Sequence, residues 1–215
     1  MTREEICKQI RDVGVIPAIR VESAALAIFA AEHVLAGGIP IVEIESTVPD
    51  FAHVIHELHR RFPELIIGVE VNTSLDAAHA QLDAGADFIT GIGFNPAIVA
   101  FCVEQQIPVI PGALTPTEVI AAHAAGASLV KVFPCGDVGG DKYIRALKSA
   151  LPHIPLVAAG GVTQSSAPHY IAAGAEALGV GEDLIPRQAL RYKEGAWIRE
   201  LASRFRKFVR QARAS

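Results

Sequence analysis

The sequence predicts a single-domain (β/α)8 barrel. Four segments repeat one pattern, in which an Ala-rich helical stretch ends at Ala-Gly and a short apolar run follows. Further apolar runs lie between these repeats, and helical stretches separate all of them. The length of 215 residues fits one such barrel at the short end of its size range.

The repeats place glycines at positions 37, 85, 126 and 174. Each glycine is expected to adopt the left-handed conformation that ends a helix before the chain turns into a strand. The spacings of 48, 41 and 48 residues are too long for one strand and helix, and they suit two. An additional strand is therefore expected in each interval and another before the first repeat.

The predicted strands are continuously apolar, as expected for parallel strands that are buried on both faces. Their eight runs are Gly14–Arg20, Leu35–Ile44, Leu65–Val71, Asp83–Ile92, Ile107–Gly112, Ala124–Phe133, Pro155–Gly161 and Ala172–Gly181. The competing architecture is an open, doubly wound sheet. Its glycine-rich phosphate turn should follow the first strand, but Arg20-Val-Glu-Ser stands there instead.

Helices are expected at both ends of the single domain, which spans residues 1–215. The first covers residues 1–12, and the last covers 196–213 and closes the barrel from outside. One stripe of the last helix is apolar, formed by Trp197, Leu201, Phe205, Phe208 and Val209. Its run of arginines and lysines is interpreted as a solvated face.

The composition excludes several classes of protein. Half of the chain is apolar (51%), which argues against disorder, and a net charge of −4 argues against a nucleic-acid-binding protein. Three widely spaced cysteines suggest neither a disulfide framework nor a zinc site. The charged N-terminus and the interrupted apolar segment 24–42 favour a soluble protein with no secretory signal and no membrane partner. We therefore expect a cytoplasmic protein that binds small molecules.

Lys131 is the most informative polar residue. It alternates in phase with Leu129 and Phe133, which places the three on one face of a predicted strand. If that face points into the barrel, burial should lower the lysine pKa and give a neutral amine able to form a Schiff base with a ketone. The alternative is a structural lysine that pairs with a carboxylate or points outward.

Glu43 lies at the corresponding depth of the second strand, in phase with Ile41 and Glu45. A carboxylate facing Lys131 across the barrel mouth could move protons beside an iminium carbon, and it could also neutralise the lysine. Glu45 is expected to be a solvated residue of the rim.

Arg20 ends the first strand, where its guanidinium could bind a carboxylate or phosphate or form an ion pair with Glu43 or Glu45. Glycines 160, 161, 179 and 181 occupy the loops after strands seven and eight, where barrels often bind phosphate. Glu182 directly follows them and would repel an anion.

Two further groups of residues are weaker candidates. His53, His56 and His59 share a helix face outside the barrel and away from its mouth, so a metal site is not expected there. Cys135 has no histidine nearby in the sequence and is interpreted as a small loop residue.

Several motifs together resemble one family of enzymes. Val-Lys131-Val-Phe-Pro, Val-Glu43-Ile, Pro111-Gly followed by Thr115-Pro-Thr-Glu, and Gly160-Gly-Val occur in this order. They are similar to motifs of the class I aldolases that act on 2-keto-3-deoxy-6-phosphogluconate (KDPG) and 4-hydroxy-2-oxoglutarate (KHG), including relatives that act on 2-keto-3-deoxy-6-phosphogalactonate. The resemblance extends from about Val13 to the final helix.

The resemblance implies that Lys131 is the Schiff-base lysine and Glu43 the general acid/base. It implies a reaction between pyruvate and an aldehyde, no metal or other cofactor, and a homotrimer. We expect the substrate-binding residues to be Arg20, Thr47, Pro111, Phe133, Gly160, Gly161, Gly181 and Glu182.

The sequence departs from the family pattern around the expected substrate. A Gly-Ala-Gly-Thr element is replaced by Gly68-Val-Glu-Val71, a Ser-Pro by Gly91-Ile92, a threonine by Ala159 and a serine by Glu182. Hydroxyl groups that hold anions are thus missing, and Glu70 is added. This combination predicts imine chemistry with an altered substrate, without phosphate.

Two alternatives remain open at the level of sequence. One is a barrel isomerase or epimerase that uses Glu43 as a proton shuttle, with Lys131 acting only through its charge. The other is a ligand-binding barrel without catalysis.

Overall fold

The computed structural model describes residues 1–70 and 74–214. The described strands all pair in parallel and form one nearly closed barrel in the order β5-β4-β3-β2-β1-β9-β8-β7-β6. They are β1 Val15–Ile19, β2 Ile41–Glu45, β3 Ile66–Glu70, β4 Phe88–Thr90, β5 Val109–Ile110, β6 Gly112–Ala113, β7 Val130–Val132, β8 Leu156–Ala159 and β9 Ala177–Val180. The predicted barrel is confirmed, and Val71, the expected end of the third strand, lies outside the described residues.

The fifth predicted strand is divided in two. β5 pairs with β4, β6 pairs with β7, and Pro111 lies between the two segments. Proline has no backbone N–H to donate to a sheet, so the ladder breaks at this position. The continuous chain through Pro111 joins β5 to β6 and closes the barrel covalently. If β5 and β6 are counted as one strand, the eight apolar runs correspond to the eight strand positions of the barrel.

Helices pack outside the strands. They are α1 Arg3–Val13, α2 Ala24–Ala36, α3 Phe51–Arg61, α4 Leu75–Asp83, α5 Pro96–Glu104, α6 Pro116–Ala124, α7 Asp141–Ala150, α8 Ala167–Ala172, α9 Arg187–Arg191 and α10 Gly195–Ala214. Polar side chains begin several of them. Thr2 and Thr115 form capping boxes with Glu5 and Glu118, which satisfy backbone N–H groups that have no partner within the helix.

The helix-to-strand glycines behave as predicted at three of the four junctions. Gly85, Gly126 and Gly174 have φ angles of 96°, 100° and 103°. The prediction is wrong at Gly37, which has a φ of −83°, because the left-handed residue is Gly38 with a φ of 88°. Two consecutive glycines allowed either position to take this role, and sequence spacing could not distinguish them.

Helix α10 packs against α2 and α8 and covers that side of the barrel. Its buried stripe contains Leu201, Phe205 and Val209 as predicted, together with Ile198 and Ala202. Trp197 and Phe208 are only half-buried. Arg213, from the basic run, donates hydrogen bonds to the carbonyl oxygens of residues 11, 12 and 176, so this residue ties the terminal helices together.

Within residues 1–70 and 74–214, no helix is both long enough and apolar enough to span a membrane.

Candidate active site

Lys131 points into the barrel and is almost completely buried, with 3% of the residue exposed. Its strand, β7, lies between β6 and β8, and Lys131 is the register partner of Gly112 on one side and Val157 on the other. Phe133 lies on the same face and lines the cavity above the amine. The predicted inward face of this strand is confirmed, since side chains alternate with a period of two.

The amine of Lys131 donates hydrogen bonds to side chains from three other strands. Its Nζ lies 3.0 Å from Glu43 Oε2 and 3.2 Å from Glu43 Oε1 on β2. It lies 3.3 Å from Glu70 Oε2 on β3 and 3.2 Å from Thr90 Oγ1 on β4. All four side chains belong to residues that are less than a tenth exposed, so little water screens their charges.

The charges of this cluster correct one prediction. Burial by itself lowers the pKa of the Lys131 ammonium, but the charges of Glu43 and Glu70 outweigh burial and raise that pKa. The resting amine is therefore protonated rather than neutral, and it must give up a proton before it can act as a nucleophile. Sequence reasoning counted the burial of Lys131 and not the second carboxylate beside it.

Glu70 is held in a different balance. Burial raises the pKa of its carboxyl, Lys131 offsets this only in part, and the negative charges of Glu43 and Glu45 add to the increase. The Glu70 carboxyl therefore holds a proton more readily than an ordinary glutamate does.

A second ion pair lies on the same side of the barrel mouth. Arg20 donates a hydrogen bond to Glu45, and this contact raises the pKa of the Arg20 guanidinium. The Glu45 residue is only 7% exposed, whereas the Arg20 side chain is 68% exposed. The expectation that Glu45 is a solvated rim residue is wrong, because β2 turns it inward and Arg20 covers it.

A cavity of about 260 Å³ opens above this cluster. Of the predicted substrate-binding residues, Arg20, Phe133, Gly160, Gly181 and Glu182 line it. Three others do not line it. Pro111 borders a separate cavity beside Thr90, Thr47 borders a neighbouring groove that also contains Arg20, and Gly161 packs near Gly136.

Gly160 has a structural reason to be glycine. Its φ is 82°, and a Cβ atom there would lie 2.7 Å from the Cα of Pro134. By contrast, a Cβ at Gly181 would meet no atom within 4 Å, so that glycine leaves space in the cavity.

Sequence reasoning missed Thr90 and Arg187 as lining or contact residues. Arg187 begins α9, and its Nε lies 3.5 Å from Glu182 Oε2. Thr90 ends a three-residue strand and is in phase with Phe88, which was the available signal. No pattern in the sequence indicated Arg187.

The weaker candidates have ordinary surroundings. Burial raises the pKa of the Cys135 thiol, which makes it a poor nucleophile. Across the part of the chain that the structure describes, no group of three or more His, Cys, Asp or Glu side chains could hold a metal ion.

A buried lysine that donates hydrogen bonds to carboxylates at the C-terminal mouth of a (β/α)8 barrel is the arrangement of a class I aldolase, a carbon–carbon lyase that works through a lysine imine. The sequence matches the family described as KDPG and KHG aldolase over residues 5–201, and the chain belongs to this family.

Individual relatives support the same assignment. The chain is 28% identical over 185 residues to the 2-dehydro-3-deoxy-phosphogluconate aldolase of Treponema pallidum (strain Nichols), which covers 86% of this chain and 88% of that protein. A solved structure described as native KDPGal is 27% identical, with a TM-score of 0.84 over 94% of this chain and 96% of that one.

The fold is also that of the Legionella pneumophila KDPG aldolase, solved with pyruvate captured at low pH as a covalent carbinolamine intermediate. That structure is 24% identical and has a TM-score of 0.85, covering 92% of this chain and 96% of the other.

Proposed function

We propose that this aldolase joins pyruvate to an aldehyde, and cleaves the product, through an imine on Lys131. The observation that supports this proposal is the position of the Lys131 amine, which is 3.0 Å from Glu43 at the floor of the cavity. Among the residues that the structure describes, the side chains that accept hydrogen bonds from this amine are Glu43, Glu70 and Thr90, and each can exchange or accept a proton.

The reaction begins when Lys131 transfers a proton to a neighbouring carboxylate. The free amine attacks C2 of pyruvate, a carbinolamine forms, and loss of water gives a protonated imine. The imine withdraws electrons from C3, so a base can remove a C3 proton and leave an enamine. The enamine carbon attacks the aldehyde, whose oxygen takes up a proton, and water then releases the product from Lys131.

Glu43 is the residue that we assign to the C3 proton. Both of its oxygens lie within 3.2 Å of Lys131 Nζ, so the carboxylate lies beside any carbon that is attached to this nitrogen. A general base in this position can contribute about 10²-fold to 10⁴-fold to the rate. The same group, once protonated, can return its proton to the aldehyde oxygen.

We propose that the aldehyde has no phosphate. The ionisable residues around the cavity comprise three cations (Arg20, Lys131 and Arg187) and four carboxylates (Glu43, Glu45, Glu70 and Glu182). Both arginines already have a carboxylate partner. Ala159 supplies no hydroxyl group, and Glu182 adds negative charge beside the glycines of the last strand, so a phosphate dianion would meet net repulsion.

We also propose that the protein is a cytoplasmic homotrimer. The trimer follows from the resemblance to this aldolase family, and the cytoplasm is consistent with three free, buried cysteines. Sedimentation at equilibrium tests the trimer, and a mass corresponding to one chain or to two would contradict it.

The decisive experiment is incubation with pyruvate and borohydride, which reduces an imine to a stable secondary amine. Peptide mass spectrometry should find the added mass at Lys131. Lys131→Met should gain none, whereas the matched variant Lys207→Met, on the exposed face of α10, should be labelled as the wild type is.

Two further results would decide between functions. No adduct with pyruvate or with other 2-oxo acids would contradict the aldolase mechanism, and proton exchange without trapping would favour an isomerase. A screen of aldehydes with and without phosphate should show higher kcat/KM for the unphosphorylated group.

A further inference from the structure

Two separate carboxylates contact the amine of Lys131 from neighbouring strands. Glu43 lies on β2 as the register partner of Gly68, and Glu70 lies two residues beyond Gly68 on β3, as the register partner of Glu45. Glu43 contacts Nζ with both oxygens, whereas Glu70 contacts it with Oε2 alone. The other oxygen of Glu70 makes no contact with Nζ, and the residue lines the cavity.

The proposed reaction requires proton transfers at two different places. Imine formation needs a proton removed from the Lys131 nitrogen and later delivered to the carbinolamine hydroxyl, which leaves as water. Enamine formation needs a proton removed from C3. If one carboxylate stays beside the nitrogen and the carbinolamine hydroxyl, a second group is needed to remove the proton from C3.

We infer that Glu70 is a second catalytic acid/base, specific to imine formation, while Glu43 serves the C3 proton. This inference rests on the proposed function of Lys131. Its basis is the 3.3 Å contact between Glu70 Oε2 and Lys131 Nζ inside an almost completely buried cluster, with Glu70 only 6% exposed.

The proton balance of this step closes on the residues present. The Glu70 carboxylate takes a proton from the Lys131 ammonium, and the free amine adds to the carbonyl carbon as the C=O π bond breaks. One proton of the attacking nitrogen passes to the former carbonyl oxygen, which gives the neutral carbinolamine. The Glu70 carboxylic acid then protonates the carbinolamine hydroxyl, the carbon–oxygen bond breaks, and the nitrogen lone pair forms the C=N bond. Water leaves, Glu70 is again a carboxylate, and its charge is opposite the new iminium.

The surroundings of Glu70 suit a group that must hold a proton for part of the cycle. Its carboxyl is buried, and Glu43 and Glu45 lie close enough for their charges to favour the protonated form. The Thr90 hydroxyl, 3.2 Å from Nζ, can keep the nitrogen in place while the proton is on Glu70. The charged groups that act on Glu70 are Lys131, Glu43 and Glu45, and the charge of Glu70 in turn helps to raise the pKa of Arg20 at the rim.

The test measures the rate at which the pyruvate imine forms, by borohydride quenching at short times and intact-protein mass spectrometry. Glu70→Gln keeps the shape of the side chain and cannot accept the proton, so its imine should form about 100-fold more slowly or worse. Glu43→Gln should form the imine much faster than Glu70→Gln does and should lose exchange of the pyruvate methyl protons with solvent.

Asp87→Asn is the matched control. Asp87 is another carboxyl group whose pKa is raised by burial, but it precedes β4, at the end of the barrel opposite the mouth, and accepts a hydrogen bond from the Ile67 N–H. The Asp87→Asn variant should form the Lys131 imine at the wild-type rate. Circular dichroism and thermal melts on each variant identify any loss of folding.

A second variant separates chemistry from structure. Glu70→Ala leaves a space that opens to the cavity, and added formate should restore imine formation in proportion to its concentration. Imine formation at the wild-type rate in Glu70→Gln, or a folded Glu70→Ala that formate does not restore, would overturn the role of Glu70. A wild-type protein that is never trapped would overturn the proposed function itself, and the role of Glu70 with it.

Discussion

Glu45 and Glu70 are register partners on β2 and β3, yet their carboxylates pair with different cations. Glu45 accepts a hydrogen bond from Arg20 at the rim, and Glu70 accepts one from Lys131 below it. The mouth of the barrel is thus divided into a buried lysine cluster and a partly solvated arginine pair. The two parts share one cavity, so chemistry at the floor and selection at the rim can be altered separately.

Lys131→Met should abolish imine formation and also destabilise the protein. The substitution leaves Glu43 and Glu70 buried beside each other without their cation. Removal of one partner from a buried ion pair costs about 3–5 kcal/mol. Urea unfolding at pH 7 measures the change in free energy. Lys207→Met, on an exposed position, should change it by no more than about 0.5 kcal/mol, and equal stability of the two variants would contradict the buried cluster.

Gly160→Ala should destabilise the protein by roughly 1–3 kcal/mol. The new methyl group would require a left-handed backbone at a φ of 82° and would clash with Pro134. Gly181→Ala is the matched comparison, because its Cβ meets no neighbour within 4 Å. It should leave the melting temperature unchanged and raise the KM of the aldehyde. Equal melting temperatures for the two alanine variants would refute this account.

Glu182→Ser should make phosphorylated aldehydes better substrates relative to unphosphorylated ones. The Glu182 side chain is 67% exposed at the mouth, where its charge is partly screened by water. A single exposed charge acts by about 1 kcal/mol, so the kcat/KM ratio should shift by about threefold to tenfold.

The Glu182 effect should shrink as salt is added, since exposed charges are screened. Glu64→Ser provides the control, because Glu64 is exposed and precedes β3, at the end of the barrel opposite the mouth. If the ratio of kcat/KM for phosphorylated and unphosphorylated aldehydes is unchanged in Glu182→Ser, residues other than Glu182 discriminate between the charges of the substrates.

The sequence predicted the strands and the inward direction of the key side chains well. Alternation with a period of two places Lys131 and Glu43 inside the barrel once their neighbours are known to be buried, and both positions are confirmed. The repeated Ala-Gly junctions indicated the number of strands because each strand needs a helix end before it. These are local signals, and local signals can be read from one chain.

The remaining features depend on contacts between distant segments. Thr90 is 41 residues from Lys131 in sequence, and Glu70 is 61 residues from it. The register between the strands brings these side chains to the same nitrogen, Lys131 Nζ. Continuously apolar strands give little information on register. The pKa of Lys131 was predicted in the wrong direction for this reason, since it depends on a second carboxylate from another strand.

Glu70→Gln should become more stable relative to the wild type as pH rises from 4 to 8. Burial and the charges of Glu43 and Glu45 raise the pKa of Glu70 in the folded state, despite Lys131. Because the pKa of Glu70 is higher in the folded than in the unfolded protein, its titration contributes to the free energy of unfolding. This contribution is complete below the pKa of glutamate in the unfolded chain, about 4.3, and is lost as pH rises through the pKa of the folded state. Glutamine does not titrate, and Lys131 stays charged throughout because its own pKa is raised. Urea unfolding of both proteins at each pH measures the difference, and Glu64→Gln should show a flat difference. A difference that falls with rising pH would mean that Lys131 outweighs burial at Glu70, so that this carboxyl is ionised more easily than an ordinary glutamate.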